Sequence, residues 1–189
     1  MFDLEQFAAD CRAALREKTP QTAVREVVAR AVCDPAAVLK TLGEPKQGEL
    51  IKLYQSPDLT ILNVIWAPMM TLLPHNHQMW AVIGLYTGRE DNIFWRRLPD
   101  GKGRVEAAGA KSISEKDAVP LGHDIIHSVT NPIPRLTGAI HVYGGDFFAP
   151  GRKEWDPETL CERDCDGEKM RQRFAQANAM FPRSAKANP

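Results

Sequence analysis

His75 and His77 stand two residues apart where an apolar strand-like run begins, and a further histidine, His127, follows later in the chain. On a β-strand, residues i and i+2 point to the same face, so the imidazoles of the pair aim at one point. Neutral imidazole nitrogens that converge inside a barrel suit a divalent transition metal. A His-x-His pair alone is a weak signal, because many such pairs are surface or core histidines. With His127 as third donor the pair becomes a candidate metal site. His123 competes for that third place, but it has no asparagine four residues on, whereas His127 is followed by Asn131.

These side chains need a scaffold, and the chain changes texture to supply one. Residues 2–45 read as helical: Phe2, Leu4, Phe7, Ala8, Cys11 and Leu15 recur at helical spacing. Lys18-Thr19-Pro20 ends that helix, and a second begins near Gln21 with Val24, Val27, Val28 and Ala31 on one face. Asp34-Pro35 opens a short third helix, with Asp34 as cap, and Gly43 closes it. From about residue 50 the segments 50–54, 59–66, 80–86, 92–97, 104–107 and 137–143 are short and rich in β-branched or aromatic residues. Turn signals separate them, at 56–58, 99–103 and 131–134. Gly88 to Asn92 reads as a turn with surface charges, in which Glu90 or Asp91 pairs with Arg96 or Arg97. Trp80 is expected to pack the barrel wall, and Met69-Met70 to lie in the core or its lining. The expected fold is mainly β, an antiparallel sandwich or barrel. It divides into N-terminal helices over 1–45, a barrel over 46–155 and a polar, partly helical tail over 156–189, frayed from Pro182.

Formal net charge is zero in 189 residues, and the basic residues are scattered, which argues against nucleic acid or an anionic membrane as partner. No basic stretch followed by an apolar run opens the sequence, and no apolar stretch reaches the roughly 20 residues a bilayer span needs. The four cysteines lie near the two ends, away from the histidines, with no second Cys or Cys/His pair to build a zinc site beside Cys161 and Cys165. Reduced thiols and a cytoplasmic location are expected.

The order His75-x-His77, a strand and turn with Gly84 and Gly88, a turn at Pro120-Leu121-Gly122, then His127-x-x-x-Asn131 resembles the paired motifs of the cupin superfamily over roughly residues 50–150. That resemblance implies a double-stranded β-helix barrel (an antiparallel jelly roll) with a metal inside. With Trp80, Ile83 and Gly84, and then Ile140-His141-Val142-Tyr143-Gly144, the pattern is similar to the bacterial thiol dioxygenases of the cysteine dioxygenase family. The 3-mercaptopropionate-type members are the nearest in pattern. The resemblance makes His75, His77 and His127 ligands of Fe(II), and His141 and Tyr143 an outer pair beside it. Arg152 falls where that subgroup holds the substrate carboxylate. A small thiol and O₂ are the implied substrates, and a sulfinate the product.

The chemistry of the residues fits. Most cupins carry a glutamate four residues after the second histidine, and here that position is Ala81. Three neutral ligands leave a divalent ion its full charge, which favours a thiolate, and small Ala81 leaves room for substrate. His141 and Tyr143 share a strand face and can hydrogen-bond, although a core histidine and a tyrosine with an ordinary partner would look the same. An arginine fork matches a carboxylate in a way lysine cannot, although residues 151–154 also suit a solvated loop. Two departures stand out: Ala139 replaces the subgroup serine two residues before the outer histidine, and His123 replaces a usual glycine. No cysteine lies on the strand after His77, so a Cys–Tyr cross-link is not expected. The alternatives are a cupin metalloenzyme acting on a non-thiol substrate and a non-catalytic metal-binding cupin.

Overall fold

A computed structural model describes residues 1–181; the frayed end expected from Pro182 lies outside them. Three helices come first: α1 (Leu4–Ala14), α2 (Pro20–Val32) and α3 (Pro35–Leu42). Asp3 caps α1 by accepting from Gln6 N, and Asp34 caps α3 by accepting from Ala37 N. Proline occupies the first helical position of α2 and α3, where no N–H is needed.

Eleven strands follow: β1 (Glu49–Gln55), β2 (Thr60–Trp66), β3 (Thr71–Asn76), β4 (Ala81–Thr87), β5 (Arg89–Arg97), β6 (Val105–Ser114), β7 (Ala118–Leu121), β8 (Ile126–Thr130), β9 (Thr137–Tyr143), β10 (Lys153–Trp155) and β11 (Glu162–Asp164), then helix α4 (Gly167–Met180). They form two antiparallel sheets, ordered β1-β2-β9-β4-β7 and β11-β10-β3-β8-β5-β6. The chain changes sheet from β2 to β3, again to β4 and again to β5, and three more times between β6 and β9. That alternation is the double-stranded β-helix, so the mainly β barrel with N-terminal helices is what the chain forms.

Side-chain alternation gives the five-stranded sheet two apolar faces. Leu62, Val64 and Trp66 of β2, with Ala81, Ile83 and Leu85 of β4, fill the barrel. Ile61, Val82, Tyr86, Ile140 and Val142 point outward and bury α1 and α2 through Phe7, Cys11, Val24 and Val28. Gly84 permits the close approach: a Cβ there would lie 2.3 Å from Val28 Cγ1. Gly88, at φ +85°, makes the left-handed turn between β4 and β5. Trp80 packs on this outer, helix-side cluster and against Gly144, as barrel-wall packing requires.

Several expectations are corrected. Gly88 to Asn92 is not a charged surface turn: β5 starts at Arg89, and Glu90 and Asn92 are buried while Arg89 pairs with Asp91 outside. Arg96 pairs instead with Glu106, and Arg97 with Glu162. Pro120 is in strand β7, at the sheet edge, where a missing N–H is tolerated. Met70 is in the core, but Met69 is exposed, at φ +57°. Beyond Asp156 the chain adds β11 to a sheet, and α4 inserts Met170, Phe174 and Ala177 into the barrel core. Trp66 stacks on Phe174 at 5.7 Å between centroids, and Asn178 bonds Gly48 N and O, which ties α4 to the start of β1.

A candidate three-histidine metal centre

His75 and His127 face each other directly in the antiparallel pairing of β3 with β8. His77, just past the end of β3, completes the group. One ring nitrogen of each lies within 4.8 Å of the others, and all three side chains are buried. His77 Nε2 is 3.3 Å from His75 Nε2 and 3.2 Å from His127 Nε2. His123, by contrast, is exposed and bonds its neighbour Asp124.

The far nitrogens show why the near ones suit a cation. His75 Nδ1 is 2.9 Å from the Leu73 carbonyl oxygen, which only accepts, so Nδ1 carries the proton. His127 Nδ1 lies 2.6 Å from Asn92 Oδ1 and is likewise the donor. Both Nε2 atoms therefore bring lone pairs to the shared point, which is the arrangement outer-sphere partners give to metal-bound histidines. Burial lowers the pKa of His75 to about 4. Burial, reinforced by the neighbouring imidazoles, takes His77 and His127 well below the usual histidine range. The cluster is neutral at pH 7 and ready to ligate. Among the described residues no carboxylate belongs to it.

β9 sends Ala139, His141 and Tyr143 inward. His141 Nδ1 is 3.0 Å from Tyr143 Oη, and the Tyr143 ring stands edge-on to His77 with centroids 5.0 Å apart. Burial pushes the Tyr143 hydroxyl up, so it stays protonated. Ala81 pairs with Tyr143 in the β4–β9 register and packs in the barrel core. Leu50, Val64, Leu72, Val129, Met170 and Phe174 close the cavity around His75, His77, His127, His141 and Tyr143.

Arg152 is not in a solvated loop. Gln78 Nε2 donates to Gly151 O, and Lys153 N donates to Asn76 Oδ1, so the segment is fastened beside His75 and His77. Its guanidinium carbon sits 3.9 Å above the Phe147 ring, whose centroid is 4.4 Å from that of Tyr143. Arg152 Nε and Nη1 are buried with no hydrogen-bond partner among the described residues. Its neighbour Glu154, opposite His75, is instead satisfied by Arg163 and Arg173.

Sequence reasoning missed Glu90 and Asn92. Glu90 is fully buried, accepts from Trp66 Nε1 and Asn92 Nδ2, and lies 3.7 Å from His141 Nε2. The period-2 signal was present: Glu90, Asn92 and inward Phe94 share one face of β5. Asn131, part of the motif that singled out His127, is not in the histidine cluster; its amide bonds Trp66 O, Ala67 O and Arg135 O and fixes the loop after β8.

No family model matches the chain. Solved structures similar to it include an RmlC-like cupin with a double-stranded β-helix fold from Methanocaldococcus jannaschii, 10% identical, covering 56% of this chain and 86% of that one, with a TM-score of 0.46. A protein with a double-stranded β-helix domain from Klebsiella pneumoniae is 15% identical over 66% of this chain and 89% of that one, with a TM-score of 0.44. A point mutant of the Bacillus subtilis oxalate decarboxylase OxdC is 17% identical over 56% of this chain and 28% of that one, with a TM-score of 0.42.

Proposed function

We propose that the chain is a non-haem iron(II) dioxygenase that converts a small mercapto-acid or cysteine-like thiol to its sulfinate with O₂. The observation that carries this reading is the convergence of His75, His77 and His127 without an acidic ligand, beside a bonded His141–Tyr143 pair. Iron(II) held by these three imidazoles would supply redox chemistry and positions for a thiolate and dioxygen.

The surrounding residues have distinct tasks. Arg152 has two unsatisfied buried donors, and a carboxylate on the substrate would satisfy them with charge-assisted bonds. The apolar walls from Leu50, Leu72, Val129 and Phe174 exclude water and limit the substrate to a small one. A binding thiol must lose its proton. Tyr143 Oη can accept it while its own O–H passes a proton to His141 Nδ1, 3.0 Å away. Glu90 lies 3.7 Å from His141 Nε2, on the far side of that ring from Tyr143. It stands by the histidine that lacks the serine partner, since residue 139 is alanine.

The test is anaerobic reconstitution with Fe(II), addition of O₂ with a panel of mercapto-acids and cysteine, and measurement of oxygen uptake and sulfinate. Uptake with matching sulfinate supports the reading. An iron-loaded protein that consumes no oxygen with any thiol refutes it.

A further inference from the structure

Glu90 touches none of the three ligand histidines, yet it is bonded in a way that reaches one of them. Its Oε2 accepts from Trp66 Nε1 at 2.8 Å, and its Oε1 accepts from Asn92 Nδ2 at 2.9 Å. An asparagine amide has one donor end and one acceptor end. With Nδ2 committed to Glu90, Oδ1 is the end that meets His127 Nδ1 at 2.6 Å. That oxygen only accepts, so the His127 proton is held on Nδ1 and the lone pair on Nε2. Nε2 is the atom 3.2 Å from His77 Nε2.

We propose that Glu90 is a positioning residue that sets the tautomer of His127 through Asn92, and thereby keeps its metal-facing nitrogen able to ligate. Carboxylate, amide and imidazole form a relay whose donor–acceptor polarity is fixed at the Glu90 end. All three groups are buried, so water does not supply a substitute acceptor. The inference rests on the three-histidine centre and not on the thiol, so it stands or falls separately from the substrate reading.

Polarity makes the proposal testable with near-isosteric changes. Glu90→Gln keeps the shape but turns one acceptor into a donor. The Trp66 N–H can only donate, so it claims the new carbonyl oxygen and leaves the new NH₂ facing Asn92. Asn92 then turns its oxygen toward that NH₂ and presents its own NH₂ to His127 Nδ1. His127 must carry its proton on Nε2 and loses its lone pair at the site. Adding Asn92→Asp reverses this, because a carboxylate at 92 accepts both from the new amide and from His127 Nδ1–H.

The experiment is nitrogen-labelled histidine NMR of the metal-free protein, paired with Co(II) titration followed by absorbance. The parent should show His127 protonated on Nδ1. Glu90→Gln should show it on Nε2, with Co(II) affinity lower by about 10–100-fold, the usual effect of losing an outer-sphere partner. The double variant should return to Nδ1–H and to near-parent affinity, a rescue that simple loss of packing does not give. A single variant that keeps the parent tautomer, or a folded double variant that still binds Co(II) weakly, overturns the proposal. If Glu90→Gln does not fold, the double variant alone decides. Folding with the parent tautomer supports the relay, and failure to fold contradicts it.

Discussion

At the scale of single residues, the proposed function divides the site into groups that would hold a metal and groups that would act on a substrate. His127→Ala removes one of three donors and should weaken Co(II) or Fe(II) binding at least as much as loss of an outer-sphere partner, about 10–100-fold, in an anaerobic titration. Tyr143→Phe should leave that affinity unchanged, because Tyr143 bonds His141 and not a ligand histidine. Thiol oxidation by the same variant should fall by about a hundredfold or more, the usual worth of a positioned proton-transfer group. An equal loss of metal and activity in Tyr143→Phe would assign the tyrosine to scaffolding. Arg152→Lys keeps the charge but loses the fork. KM for a mercapto-acid should rise by about tenfold, roughly 1.4 kcal/mol, with no change for a thiol that lacks a carboxylate. A uniform rise would mean that Arg152 only packs on Phe147.

Elements bring these residues together by register and parity. Direct pairing of His75 with His127 across β3 and β8 aligns two imidazoles, and the inward parity of β9 adds His141 and Tyr143. Two elements outside the barrel wall matter as well. α2 lies so close to β4 that Gly84→Ala would push a Cβ to 2.3 Å from Val28 Cγ1. Val28 is fully buried, so a loss of about 1–3 kcal/mol in urea unfolding is expected. α4 covers the site from the other side. Phe174→Ala removes the ring that stacks on Trp66 and lines the cavity of the three histidines. It should cost about 3–5 kcal/mol. A chelator should also strip metal from it faster than from the parent; an unchanged stripping rate would show that metal leaves by another route.

Across the whole molecule, what the sequence disclosed depended on how local each signal is. The His75-x-His77 pair, the alternation of β9 and the Asp34-Pro35 helix start could be read because each lies within one segment. Glu90 was masked, because its neighbours Arg89 and Asp91 make the segment look uniformly charged and hide the alternation that turns Glu90 inward. The role of α4 was hidden for a related reason: its apolar residues Met170, Phe174 and Ala177 are few, and only the folded barrel shows what they cover. Among the described residues no helix is long and apolar enough to cross a membrane. The buried titratable groups also set a pH response. His75, His77 and His127 have lowered folded-state pKa values, so below about 6.5 the unfolded chain binds protons that the fold refuses. Glu154 extends the loss to lower pH, below about 4.5: burial raises its pKa, but hydrogen bonds from Arg173 and Arg163 outweigh burial and hold it below the usual carboxylate range. Stability of the metal-free protein should therefore fall as pH drops from about 6.5 toward 4, read as a declining urea midpoint. A bound metal should offset part of that loss, since it favours the neutral imidazoles. A midpoint that stays flat over this range would contradict the neutral, buried cluster.

X-ray absorption at the iron edge of the Fe(II)-loaded protein, recorded without oxygen before and after adding 3-mercaptopropionate, reads the ligand set itself. One iron per chain with a shell of three imidazole nitrogens, gaining a sulfur neighbour when the thiol is added, is the expected result. Iron bound without that imidazole shell, or a spectrum that the thiol leaves unchanged, would contradict a thiol-binding centre built on His75, His77 and His127.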